Sequence, residues 1–329
     1  MTNDNQTADA SDFKDRTTGL VVFGILEIIL GAFCALLAPL MILSMLASAG
    51  LHKGAPPSVN VGMVIPSVLT YILAAVWFIW MGIGSLKARR WARALLLVSS
   101  WFWLISGIMG LGFILAFMPN MYAQMGQGGQ IPPPMAAIVM CATIGFMAVF
   151  YVIIPGTLVF FYGSKHVKAT CERKDSAIRW TDRCPLPVLA ISLISGFAAL
   201  SMLLMGFYGW ALPFFGLILT GMAGAGVALA SMLLLGYVAW GAYRLNIRAW
   251  WCAMILAIAW GVSTGITFSR VTLMDFYERM NFSAQQLETM KPLAQSMTSW
   301  MLLFSGCGVV IVLAYLLYTR RYFPRETTE

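Results

Sequence analysis

Residues 164–184 read SKHVKATCERKDSAIRWTDRC, and the reading of this stretch decides the fold. It holds six bases, Lys165, Lys168, Arg173, Lys174, Arg179 and Arg183, and three acids, Glu172, Asp175 and Asp182. It also holds Cys171 and Cys184, two of the six cysteines. Long apolar runs flank it, four before and four after. A short basic segment between runs of that length reads as a linker joining two membrane halves.

The whole chain fits this. Its 329 residues are 60% hydrophobic and 10% charged, whereas soluble domains carry about 25% charged residues. Too little polar surface exists to hold such a chain in water. In lipid, backbone groups must bond within their own segment, which leaves helices or closed barrels. The runs are long and do not alternate, so helices are expected. The fold expected is all-α and polytopic, with eight transmembrane helices over residues 19–46, 61–86, 91–118, 135–163, 185–208, 216–243, 250–268 and 300–318. Residues 1–18 form a tail, 19–163 the first membrane half, 164–184 the linker, 185–318 the second half and 319–329 a second tail. The tail before the first run lacks a basic region, and that run is long for a signal peptide, so the first helix is expected to be retained. Between helices, residues 119–134 are expected to be irregular, and residues 209–215 a tight uncharged turn. Residues 283–296 read as a short amphipathic helix capped by Ser283.

Lysine and arginine alone set the orientation. Lys14 and Arg16, then Lys87, Arg89, Arg90 and Arg93, then the six linker bases, then Arg244 and Arg248, then Arg320, Arg321 and Arg325 all fall on one side. The other side has Lys53, Arg270, Arg279 and Lys291. Seventeen of the 21 bases therefore share a face, and both termini and the linker are expected in the cytoplasm. The net charge of +8 is then an orientation signal at helix ends, so no nucleic-acid partner is expected.

The second half echoes the first. Trp91 and Trp101 sit ten residues apart, as do Trp250 and Trp260. Gly84-Ser-Leu-Lys87 precedes the first pair, and Gly241-Ala-Tyr-Arg244 the second. Tyr162 and Tyr318 each lead into basic residues, and Gly31 can be set against Gly196. Four helices per half is an even number, so a duplication here is parallel, related by an axis along the membrane normal. Small residues at Gly261 and Gly265, and in the 219–231 tract, read as close-packing positions.

No enzyme motif is present: no HExxH, P-loop, GxSxG or dinucleotide fingerprint. The expectation is therefore not an enzyme, with no cofactor and no metal. His166, Cys171 and Cys184 are the nearest approach to a zinc site, but structural zinc takes four ligands and the spacing is unlike the usual modules. The linker bases Lys165, Lys168, Arg173, Lys174, Arg179 and Arg183, with Trp180, suit contact with anionic lipid head groups or with a partner. Glu27 is the one ionisable group well inside a helix, about 10 Å deep at ~1.5 Å per residue. A charged carboxylate there costs about 3 kcal/mol, so Glu27 is expected to be protonated or to face a polar interior. Ser99, Ser100 and Ser192 lie at the same depth. So does Pro155, which frees the carbonyl of Tyr151. Ser99, Ser100 and the Tyr151 carbonyl are the expected partners of Glu27.

The segment RWTDRCPLPVLA, residues 179–190, together with the paired basic-aromatic turns, resembles multi-spanning inner-membrane proteins of bacteria to which no activity is assigned. The resemblance implies a bacterial plasma-membrane location and carries over no functional residue. The function expected is a non-enzymatic structural, accessory or interaction role, with the bilayer, a membrane-protein partner or a second copy as its contacts. The alternative is a small permease for a neutral or hydrophobic solute, which requires a cavity near the midplane.

Overall fold

The computed structural model describes residues 14–51, 61–127, 133–280, 282 and 284–324. Eight helical spans among these residues are long and apolar enough to cross a membrane. They fall on the eight apolar runs. The first four spans come from α1 (Thr17–Leu51), α2 (Val61–Leu86), α3 (Arg90–Gln127) and the α4–α5 pair. In that pair α4 (Pro133–Ala148) passes through one π turn, Val149–Ile153, into α5 (Ile154–Gly163). Pro155 explains the π turn. It has no N–H to donate, and the ladder widens just before it so that the Ile154 N–H bonds Val149 O. The linker holds α6 (Lys165–Lys174) and a 3-10 turn, Trp180–Asp182. Then come α7 (Leu186–Ser201), continued by a 3-10 stretch to Tyr208, and strands β1 (Leu212–Phe214) and β2 (Leu217–Leu219). The chain ends with α8 (Gly221–Tyr243), α9 (Ile247–Arg270), α10 (Leu273–Glu278) and α11 (Ala284–Thr319).

Large apolar side chains point outward along these helices: Phe160 is 84% exposed, Leu233 69% and Met222 90%. Water would penalise every one, whereas lipid tails would not. The chain is a multi-pass membrane protein with the bilayer as its solvent.

The contacts fall into two compact units. The first comprises Met1–Pro39, Thr70–Ile108 and Met147–Leu186. In it α1 and α2 cross antiparallel through glycines. A Cβ added at Gly24 would lie 2.9 Å from the Gly82 carbonyl, and one at Gly31 would lie 3.0 Å from the Ala75 carbonyl. Direct backbone contact of this kind needs positions without a side chain. Gly84 sits against Ala92 between α2 and α3, and Gly107 against the Tyr151 backbone between α3 and the π turn.

The second unit comprises Leu40–Leu69, Met109–Phe146 and Pro187–Glu329. Its hairpin pairs Leu212 with Leu219 and turns through Phe215 (φ 42°) and Gly216 (φ 94°), the two positive φ values a tight hairpin uses. Side chains of α9 satisfy its backbone: Phe215 N–H donates to Ser263 Oγ at 3.0 Å, and Gly216 N–H to Thr267 Oγ1 at 3.0 Å. Phe268, Leu273 and Ala294 form a buried cluster that seats α10 on α11.

Several boundaries differ from expectation. Residues 209–215 lead into a two-stranded hairpin rather than being only a turn, because Gly216 allows the reversal. The helix expected from 216 begins at Gly221. α3 runs on to Gln127, so much of the segment expected to be irregular is helical up to its glycine cluster. α11 is continuous from Ala284, running through Pro292, where a separate short helix was expected. The Ser283 cap lies outside the described residues. Part of the linker, expected as loop, is α6.

Candidate functional site

Among the described residues, the buried carboxylates and their partners gather in two places, both within the first unit. One is inside the helices. Glu27 is 3% exposed, Ser85 1% and Tyr162 fully buried. Tyr162 Oη lies 3.1 Å from Glu27 Oε1 and 2.7 Å from Ser85 Oγ, and Ser85 donates to the Leu20 carbonyl at 3.0 Å. A hydrogen count decides how this chain is wired. It has three contacts, and the Leu20 carbonyl can only accept. Ser85 gives its one hydrogen to Leu20, so Tyr162 must give its one hydrogen to Ser85. The third contact is then a hydrogen bond only if Glu27 supplies the hydrogen, which a carboxylic acid does and a carboxylate does not. The neutral form also suits Glu27 Oε2, which is buried without a partner. A bare carbonyl-type oxygen is far cheaper to bury than half of an anion.

This corrects the expected partners. Ser99 bonds back to the Leu95 and Leu96 carbonyls of its own helix. Ser192, in the second unit, bonds the Ala239 carbonyl. Ser100 is buried, and the Tyr151 backbone packs on Gly107. The depth count failed for a geometric reason. Cα–Cβ bonds tilt toward the helix N-terminus. Successive contacts show α1 against α2, α2 against α3 and α3 against α5 to be antiparallel pairs, so α1 and α5 also run oppositely. Glu27 therefore leans toward the basic end of α1, and Tyr162 leans inward from the basic end of α5. Two long side chains close a gap that their backbone depths conceal.

The second place is the linker against the start of α3. Asp175 is 3% exposed and gathers several donors. Arg179 donates from Nη2 at 2.6 Å to Oδ1 and from Nε at 3.0 Å to Oδ2. The Arg90 N–H donates at 3.3 Å, and Arg89 Nη1 lies at 3.5 Å. A carboxylate on the first N–H of α3, that of Arg90, caps that helix and complements its dipole. The Arg179 fork holds the Asp175 carboxyl below the usual range. Arg90 also reaches Glu172 at 3.4 Å and Asp182 at 3.4 Å, and Lys168 reaches Glu172 at 3.8 Å. Thr170 accepts from the Arg16 N–H at 3.1 Å, tying α6 to the start of α1.

A cavity of about 280 Å³ lies in this lattice, lined by Arg90, Arg93, Lys168, Glu172, Thr181 and Asp182 with Cys171, Cys184, Ala94 and Leu186. Cys171 and Cys184 are free thiols, and burial pushes both up to about 11, so both are neutral here. Among the described residues they form no three-ligand group with His166.

Of the bases expected at a head-group or partner surface, Lys165, Lys168, Arg173, Lys174 and Arg183 are exposed, as is Trp180 at 42%. Arg179 is different, because its fork is committed to Asp175. Ser85, Tyr162, Asp175, Arg90, Arg93 and Thr181 escaped the sequence reading as site residues. The bases among them look identical to orientation signals, and nothing local marks a serine or threonine that faces a cavity. No family model, no curated protein and no solved structure matches this chain.

Proposed function

We propose that the chain is a non-enzymatic bacterial inner-membrane protein, both termini and the linker cytoplasmic, that serves as an accessory or interaction subunit. One observation carries this reading. Polar side chains form a braced platform at the basic face, while the one acid deep in a span is hydrogen-bonded to Tyr162 through one of its oxygens. A platform stapled by Asp175 presents Lys174, Arg183 and Trp180 on a fixed scaffold, as a docking surface requires. The skew of lysine and arginine supports the cytoplasmic side for that face.

The geometry also supports the four-plus-four parallel repeat. The α2–α3 and α8–α9 turns close alike: Ala88 N–H bonds Ser85 O at 2.8 Å and Arg89 N–H bonds Gly84 O at 2.9 Å, while Leu245 N–H bonds Ala242 O at 2.8 Å and Asn246 N–H bonds Gly241 O at 2.9 Å. This is the Schellman pattern, with Ala88 (φ 48°) and Leu245 (φ 58°) in its left-handed position. Gly84 meets Ala92 as Gly241 meets Ala249. In this register Trp103 falls opposite Trp260 and Trp91 opposite Arg248, a register two residues from that of the Trp91/Trp250 and Trp101/Trp260 pairs.

The second reading, a small permease for a neutral or hydrophobic solute, is favoured by a cavity of about 280 Å³ within the second unit. Gly261, Gly265, Ser305 and Gly306 line it with apolar neighbours.

Purification of the full chain in mild detergent, with mass spectrometry of what is retained, separates the readings. A membrane protein retained by wild type and lost from Lys174→Glu/Arg183→Glu is the expected result. Liposomes containing the chain alone that pass a neutral solute faster than empty ones, with no such protein retained, would overturn it.

A further inference from the structure

The cavity at the start of α3 has features that ion pairing alone leaves unexplained. Its lining carries three basic side chains, Arg90, Arg93 and Lys168, against two carboxylates, Glu172 and Asp182. One positive charge is left over. Arg90 and Lys168 already engage the two carboxylates, so the surplus sits at Arg93. Arg93 Nε is shielded from solvent and has no hydrogen-bond partner. Thr181 is 3% exposed, and its Oγ1 is also buried without a partner. Buried donors are normally satisfied. Here two unpaired donors border one cavity that carries one uncompensated positive charge.

We propose that this cavity binds a phosphodiester, a phosphate group bearing a single negative charge, with Arg93 and Thr181 as its donors. The charge matches, since one anion neutralises the surplus that the lining leaves. The donors match, because guanidinium and hydroxyl groups both bond phosphate oxygens well. The size matches a polar head group, since whole small-molecule sites start at about 300 Å³. The depth also matches: Arg90 and Leu186 each begin a membrane span and both line the cavity, which puts it at the membrane surface. A phosphodiester reaches such a site from a phospholipid head group or as a soluble diester.

The proposal rests on the functional reading only for which face the cavity occupies, and its test is independent of any protein partner. The full chain is purified from vesicles of equal phosphatidylglycerol and phosphatidylcholine, and retained lipid is measured by native mass spectrometry. In parallel, glycerophosphoglycerol, the soluble diester, is titrated by thermal shift. Selective retention of phosphatidylglycerol assigns the lipid source, and a shift with the soluble probe assigns the free one. In either case Thr181→Val weakens binding about tenfold and Arg93→Gln more, the range for a hydrogen bond to a charged group. Lys87→Ala, an exposed base outside the cavity, leaves it unchanged. Thr181→Val replaces an unpartnered hydroxyl with a methyl group, so its ligand-free stability stays level or rises. Unfolding therefore cannot imitate the loss. Failure of both probes, or binding indifferent to Thr181→Val and Arg93→Gln, overturns the proposal. A retained lipid without a retained partner would leave the site standing and remove the interaction role.

Discussion

Glu27 is hydrogen-bonded to Tyr162, and substitutions separate the part played by that bond from the part played by charge. Glutamine keeps a donor at the position from which the acid reaches Tyr162, so Glu27→Gln is expected to hold stability within about 1 kcal/mol. Glu27→Ala opens a cavity and leaves Tyr162 without that partner, costing about 2–4 kcal/mol. Tyr162→Phe cuts the chain in its middle and costs about 1–3 kcal/mol. Thermal unfolding in a single detergent ranks the three. A Gln variant as unstable as the Ala variant would show that ionisation matters and that Glu27 is more than a clamp. Of this group the sequence reading picked out Glu27 alone. Tyr162 looked like one more interfacial tyrosine, and Ser85 like one small residue among many at a helix end.

At the scale of elements, the most buried tie of the linker is one carboxylate. Asp175 joins the end of α6, the Arg179 fork and the first N–H of α3, so its loss releases both helix ends together. Asp175→Asn is expected to lower the melting temperature by several degrees at neutral pH. The pH dependence follows from the sign of the shift. Asp175 is held below the ordinary carboxylate value of 3.8, so the folded state binds its proton more weakly than the unfolded chain does. The stabilisation is then fully present above that value and is lost as pH falls through the lower folded value. Melts at pH 7 and pH 3 are expected to show a gap between wild type and Asp175→Asn that narrows in acid. A gap of equal size at both would mean that the carboxylate is not the staple. The same architecture sets Arg179 apart from the other linker bases, because its fork is paired with Asp175. A bidentate pair fixes the fork, and only tertiary contact shows which base has found its acid.

For the whole molecule, orientation is the property most open to direct test. Reporter fusions after Gln127 and Ala177 are expected to behave oppositely, with the Ala177 fusion active only as a cytoplasmic reporter. Export of Ala177 would invert the proposed topology and move the Asp175 platform to the outer face. The apolar runs by themselves determined the all-α membrane fold and its eight spans, because lipid leaves a backbone no partner outside its own helix. Composition and period are local quantities, legible residue by residue along the chain. Only the tertiary structure decided that Glu27 meets Tyr162 rather than Ser99, and that Arg93 and Thr181 border one cavity. Each of those depends on helix rotation and side-chain tilt. In lipid all helix faces are similarly apolar, so no stripe of apolar residues marks the inward side. The pattern that betrays the buried face of a soluble helix is missing here, and packing between glycine-faced backbones sets the rotation instead.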